Sequence, residues 1–264
     1  MGDLLQSIDA RGVATLTLNR PNRRNAFDEA LVAHMTDALR RLDERRDVRV
    51  VILAGSGPSY CAGADVEWMR RAAQDTLEAN EADAIALFEL LRTLDRLSKP
   101  TIALVHGGAY GGGVGLVACC DIAIASESAR FCLSEVKLGV IPAVVGPFVI
   151  RSIGIRQARR FFLTAEVILA EDALAMGLVH QVVPENALGP SRDRMLDALL
   201  LGAPGAQAEA KSLIRLCEAH PIDVDLMQET ARSLAARRAS AEGQEGLSAF
   251  LAKRPPTWRT EQDN

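Results

Sequence analysis

Two glycine-containing loops and one acid are the groups in this chain best suited to handling a carbonyl oxygen and a proton. The loops are Cys61-Ala62-Gly63-Ala64-Asp65 and Gly111-Gly112-Gly113; each follows an apolar, strand-like run and opens a helix. Glycine lets the backbone approach a ligand closely, and the first turn of a helix leaves its N–H groups unpaired. Each loop can therefore offer a donor and a partial positive charge to an oxygen that becomes negative. The competing reading is that these glycines serve only tight packing of strand against helix. A dinucleotide fingerprint fits poorly, because Gly111-Gly112-Gly113-Val114-Gly115 lacks its spacing, and no Walker-type lysine follows either loop.

Glu135 lies in Phe131-Cys132-Leu133-Ser134-Glu135-Val136-Lys137-Leu138-Gly139-Val140-Ile141-Pro142, among mostly apolar neighbours. A partly desolvated carboxyl there has a raised pKa and suits proton transfer near neutral pH. An ion pair with Lys137, or a surface position on a loop, is the alternative.

The elements that must position these groups follow from periodicity and turn signals. Val13 to Leu18 alternates as a strand, and Asp28 can cap a helix to about Leu42, with Leu31, Met35, Leu39 and Leu42 on one face. Arg49 to Ala54 reads as a buried strand closed by Gly55-Ser56-Gly57-Pro58. A helical region runs from Asp65 to Ser98 with a break near Asp75. Strands are expected at Thr101–Val105, Asp121–Ala125 and Ala129–Cys132, with a short helix from Gly111-Gly112-Gly113 to Cys120. From Pro147 onward the pattern is helical apart from a strand at His180–Val183. Alternating strands and helices followed by a helical tail predict an α/β core over 1–195 that carries the active site, and a helical region over 196–264.

Composition narrows the function classes. The 264 residues carry a net charge of −4, which draws the chain neither to nucleic acid nor to an anionic membrane. The arginine pairs Arg40-Arg41, Arg45-Arg46 and Arg70-Arg71 lie near acids and read as solvated helix faces. Cys61, Cys119, Cys120, Cys132 and Cys217 show no Cys-x-x-Cys spacing and read as small buried thiols in a reducing compartment. The histidines His34, His106, His180 and His220 are scattered, so no metal site is expected. No signal pattern opens the chain, which predicts a cytoplasmic protein. The uncharged stretch between Lys99 and Asp121 approaches the length of a membrane span, but its six glycines suit strand, turn and buried helix instead.

Taken in order, the landmarks resemble the crotonase, or enoyl-CoA hydratase/isomerase, superfamily. They run from Arg20-Pro21 through Asn25-Ala26, Gly63-Ala64-Asp65, Gly107 to Gly113 and Ser134-Glu135. They continue through Leu163-Thr164-Ala165, Ala175-Met176-Gly177-Leu178-Val179 and Glu245-Gly246 to Phe250 and Lys253-Arg254. The resemblance implies a spiral of ββα units with a C-terminal helical trimerisation region, and a homotrimer or hexamer. It places an oxyanion hole on the N–H groups of Ala64 and Gly112 and a catalytic carboxyl at Glu135. It implies a CoA-binding surface near Arg23, Asn25, Ala26, Ala62 and Asp65, with Phe250 and Lys253 adding C-terminal contacts. No cofactor is implied beyond the coenzyme A carried by an acyl-CoA substrate. One departure stands out: typical hydratases of this superfamily have a second glutamate at the position of Gly115, so their two-carboxylate handling of water does not carry over.

The resemblance leaves three readings. The first is a hydratase of 2-enoyl-CoA, with Glu135 activating water or delivering the α-proton and another group or a second water covering the missing role. Gly111-Gly112-Gly113-Val114-Gly115-Leu116 and Cys132-Leu133-Ser134-Glu135-Val136 resemble a subgroup that hydrates methylglutaconyl-CoA, in leucine catabolism, or isohexenylglutaconyl-CoA (carboxygeranoyl-CoA), in acyclic terpene catabolism. The second is a Δ3,Δ2-enoyl-CoA isomerase, for which one carboxylate suffices. The third is a non-catalytic acyl-CoA binder. Trp68 and Met69 are candidates for the far wall of the acyl pocket, with core packing the alternative.

Overall fold

In the computed structural model, which describes residues 2–259, the first half of the chain lays down a mostly parallel sheet. Strand β1 (Leu4–Ile8) turns back antiparallel onto β2 (Val13–Leu18). Helix α1 (Glu29–Glu44) then crosses over to β3 (Val50–Gly55), which runs parallel to β2. Asp28 caps α1 by accepting the Leu31 N–H at 3.0 Å, and Leu31, Met35, Leu39 and Leu42 are buried along its inner face. The first four residues of β3 are buried, as in a parallel strand covered on both faces.

Helices α2 (Val66–Ala72) and α3 (Leu77–Asp95) lead to β4 (Thr101–Val105), parallel to β3. After β5 (Gly108–Tyr110) and helix α4 (Gly112–Cys119), β6 (Ile122–Ser126) pairs with β4. Strand β7 (Arg130–Cys132) follows, then helix α5 (Gly146–Thr164), β8 (Ile168–Leu169), α6 (Ala170–Ala175) and β9 (Gln181–Val183). The large sheet has the order β1-β2-β3-β4-β6-β9, and β5, β7 and β8 form a second, three-stranded sheet. The chain thus deposits one strand in the large sheet and one in the small sheet before each of α4 and α5, which brings β5 and β7 side by side.

Three strands were not anticipated. In β1 only Leu4 is buried, so the alternation that marks a half-buried strand is absent. β5 and β8 are three and two residues long, too short to carry a period. Helix α5 is also interrupted at Gly154, whose φ of 74° and ψ of 157° are not helical. The uncharged stretch after Lys99 folds as β4, β5 and α4, and no helix among the described residues is long and apolar enough to cross a membrane.

Chain contacts divide the molecule into two compact units, one of residues 1–97 with 101–193 and one of residues 98–100 with 194–264; their boundary falls within α7 (Leu188–Leu200). The second unit contains α8 (Pro204–Ala219), α9 (Val224–Ala239) and α10 (Ala241–Leu251). Glu242 ties these helices together, accepting the Gly205 and Ala206 N–H groups at the start of α8, both at 3.0 Å, and pairing with Arg237 at 2.6 Å. Four of the five cysteines are buried; Cys217, on α8, is exposed, contrary to the sequence expectation.

Candidate active site

The first loop is held from both sides. Cys61 donates to the Gly108 carbonyl at 3.0 Å and accepts from the Tyr110 N–H at 2.9 Å, which pins the start of the loop to β5. On the other side Ala62 donates to the Arg24 carbonyl, Phe27 donates to the Gly63 carbonyl, and Asp65 donates to the Phe27 carbonyl, each at 2.9 Å. Because Phe27 engages the groups of residues 63 and 65, the N–H of Ala64 between them points away from it. That N–H meets no acceptor among the described residues.

The second loop arrives from β5. Gly111 donates to the Cys132 carbonyl at 2.9 Å, and its φ of 48° is a left-handed conformation that favours glycine. The N–H of Gly112, the first residue of α4, also meets no acceptor among the described residues. The loops touch: a Cβ on Gly63 would lie 3.6 Å from the Gly112 nitrogen. Ala64 and Gly112 line one cavity of ≈ 270 Å³, together with Glu135. The packing-only reading of the glycines does not account for two unpaired amides at one cavity.

Glu135 begins a 3-10 turn, Glu135–Leu138, that ends at left-handed Gly139. Its carboxyl lies over Gly111, where a Cβ would come 3.2 Å from Oε1. Oε2 is buried and has no hydrogen-bond partner among the described residues. Burial raises the pKa of this carboxyl above the ordinary glutamate value, while its own backbone N–H acts in the opposite sense. An unpartnered buried polar atom costs roughly 1–3 kcal/mol and calls for an explanation, such as a catalytic role. Lys137 does not supply the missing partner, since its Nζ donates to the Ala165 carbonyl at 2.6 Å.

Apart from Ser134 the rest of the lining is apolar, including Phe27, Met69, Leu87, Leu138, Ile141 and Val144, and among the described residues it contains no lysine, arginine or histidine. Gly115 lies behind this wall, where a Cβ would meet Val145 Cγ1 at 2.6 Å and Leu91 Cδ1 at 3.1 Å. Helix α4 therefore has no room for a second carboxylate at that position. Met69 lines the cavity, whereas Trp68 packs into the core, tilted against Phe27 and donating to Asp83 at 2.7 Å.

The residues matched to a CoA surface fall into two groups. Arg23, Ala26 and Asp65 line a separate hollow of ≈ 240 Å³, and Ala62 lines the main cavity. Asp65 caps α2 through the Glu67 N–H at 2.9 Å and pairs with Arg23 at 2.7 Å and Arg20 at 3.4 Å. Burial alone would raise its pKa, but the Arg23 and Glu67 hydrogen bonds and the two guanidinium charges outweigh burial and lower it. The Asn25 side chain is engaged within the protein. It is fully buried, donates to the Ser56 and Ser59 carbonyls at 2.8 and 2.7 Å, and accepts from the Arg20 N–H at 2.8 Å. Phe250, on α10, and Lys253, which has a φ of 51°, are exposed residues of the second unit. Sequence reading missed Phe27 and the Val145–Leu91 wall, since no spacing rule connects residue 27 with 112 or residue 145 with 115.

Residues 9–261 match the family described as enoyl-CoA hydratase/isomerase. The crystal structure of an enoyl-CoA hydratase from Shewanella pealeana superposes with a TM-score of 0.94 at 42% identity, over 97% of this chain and 96% of that one. The 2,3-dehydroadipyl-CoA hydratase of Escherichia coli K12 is 34% identical over 261 residues, 98% of this chain and 99% of its own. The 1,2-epoxyphenylacetyl-CoA isomerase of the same organism is 33% identical over 261 residues, 97% and 98% of the two chains. The chain belongs to the enoyl-CoA hydratase/isomerase family, within the crotonase superfamily, and has its α/β fold with a helical C-terminal region. An acyl-CoA substrate fits that membership.

Proposed function

We propose that the chain is an enoyl-CoA hydratase that adds water to a 2-enoyl-CoA with a single carboxylate. The observation that carries this reading is the unpartnered, buried Oε2 of Glu135 in the same cavity as the unpaired amides of Ala64 and Gly112. The thioester oxygen accepts from both N–H groups. Glu135 takes a proton from water, the hydroxyl adds to the β-carbon, and the electron pair of the double bond moves onto the thioester oxygen as an enolate. The two amides stabilise that charge as it develops. Glu135 then delivers its proton to the α-carbon, so that one carboxyl serves as base and acid in turn. No cofactor is needed beyond the coenzyme A of the substrate.

Glutaconyl-type thioesters, methylglutaconyl-CoA or isohexenylglutaconyl-CoA, are the substrates proposed from the sequence resemblance. Support comes from the Escherichia coli relative named for a 2,3-dehydroadipyl thioester, which also carries a distal carboxylate. With no cation in the cavity lining, the substrate's carboxylate is expected to face solvent at the mouth and its apolar portion to enter. Arg23, Ala26, Ala62 and Asp65 are proposed to hold coenzyme A, with Asn25 fixing their loop and Phe250 and Lys253 adding contacts across a subunit boundary, in a cytoplasmic homotrimer or hexamer.

One observation favours a second reading, a Δ3,Δ2-enoyl-CoA isomerase. Val145 and Leu91 close the space beside Gly115, and a lone carboxylate can move a proton from C2 to C4 without water. A panel of 2-enoyl-CoA esters, with and without a distal carboxylate, assayed against matched 3-enoyl-CoA esters separates the two. Hydration that is lost in Glu135→Gln while ester binding persists supports the first reading, and double-bond migration without hydration supports the second.

A further inference from the structure

We propose that Phe27 is the positioning residue that registers the two amides of the cavity with each other. This proposal rests on the two-amide reading above. Three contacts converge on this side chain and its backbone. The Phe27 N–H and carbonyl clamp residues 63 and 65 at 2.9 Å each, which directs the Ala64 N–H away from them and prevents that peptide from turning. The tip of the ring fills the space beside Gly112, where a Cβ would meet Cζ at only 2.2 Å. The ring is completely buried and is backed by Trp68, with centroids 6.5 Å apart at 58°. One residue thus bears on both loops, through main-chain bonds to the residues flanking Ala64 and through the ring beside Gly112. A rigid spacer of this kind fixes the separation at which two N–H groups converge on a single oxygen.

The close contact also explains why residue 112 is glycine. Its backbone φ is not among the positive values, so the ring alone excludes a side chain there. Removing the ring frees the first turn of α4 to shift toward Phe27. The Gly112 N–H then moves relative to Ala64 while the CoA surface and Glu135 stay in place.

Hexanoyl-CoA labelled with ¹³C at its carbonyl, bound to the full-length protein, reports the polarisation of the thioester directly through its infrared stretch. In the unsubstituted protein the band is expected well below its frequency in water. In Phe27→Leu and Phe27→Ala it is expected to return toward the solution value, with kcat lower by about 100-fold and KM nearly constant. Phe27→Leu keeps the test open if the alanine variant does not fold, and a thermal midpoint confirms folding of each. Combining Phe27→Ala with Gly112→Ala is expected to give at least about tenfold more activity than Gly112→Ala alone, because the methyl group then has room. An unchanged band and kcat in folded Phe27→Leu overturns the proposal, as does a double variant no better than the product of its singles. A band that fails to shift in the unsubstituted protein overturns instead the two-amide reading on which the proposal stands.

Discussion

The ammonium of Lys137 donates to the Ala165 carbonyl at 2.6 Å and is not paired with Glu135, two residues away in the sequence. Ala165 is the left-handed cap of α5, and its carbonyl also accepts from the Cys132 thiol at 3.4 Å. The tie joins the 3-10 turn of Glu135 to the end of α5, and among the described residues no cation pairs with the carboxyl.

That arrangement has a kinetic signature. In Lys137→Met the acid limb of the kcat/KM profile is expected to keep the midpoint of the unsubstituted enzyme. An ion pair with Glu135 would instead make the midpoint rise when the lysine is removed. Matched pH profiles distinguish the two.

Glu135 links activity to stability. Its folded-state pKa lies above its unfolded value, because burial disfavours the charged form. The stability it contributes is therefore fully present below the unfolded pKa and is lost as pH rises through the folded one. Glu135→Gln, which carries no charge, is expected to gain in thermal midpoint over the parent protein more at pH 8 than at pH 4. Catalysis by the carboxylate runs the other way, with kcat/KM falling as pH drops through the raised pKa. A stability difference independent of pH would show that burial of the carboxylate has no energetic cost.

Much of this was legible in the sequence, and the limits have physical causes. Helix α1 announced itself through Asp28 and its apolar stripe, and β3 through an unbroken apolar run, because local signals suffice for both. The two loops and Glu135 stood out because glycine before a helix and an acid among apolar residues are local features too. The partners of these groups were not legible. Whether Glu135 met Lys137 or nothing depended on Ala165, at the end of a helix that follows. Nor was it legible that the Asn25 amide is used by Ser56, Ser59 and Arg20, contacts that only the folded loop creates.

Packing at Gly115 gives a steric test. With Val145 Cγ1 2.6 Å from where a Cβ would stand, Gly115→Ala is expected to destabilise the protein by about 1–3 kcal/mol. Adding Val145→Ala should recover most of that loss, measured by urea unfolding. Additive losses would show that the clash is not between these two residues.

Asp65 joins the first loop to α2 and to two arginines, one of which, Arg20, is almost fully buried. Asp65→Ala removes the helix cap and leaves that guanidinium short of a partner, a combined cost of roughly 3 kcal/mol. The same variant is expected to weaken acyl-CoA binding by loosening Arg23, which calorimetry can detect. A folded variant with unchanged stability and affinity would remove Asp65 from the account.

The most direct measurement of the central claim is a crystal structure of Glu135→Gln with an unreacted 2-enoyl-CoA bound. The thioester oxygen is expected at about 2.7–3.1 Å from the backbone nitrogens of both Ala64 and Gly112, with the α- and β-carbons facing residue 135. A thioester oxygen turned away from either nitrogen, or an acyl chain lying outside the cavity that contains residue 135, would contradict it.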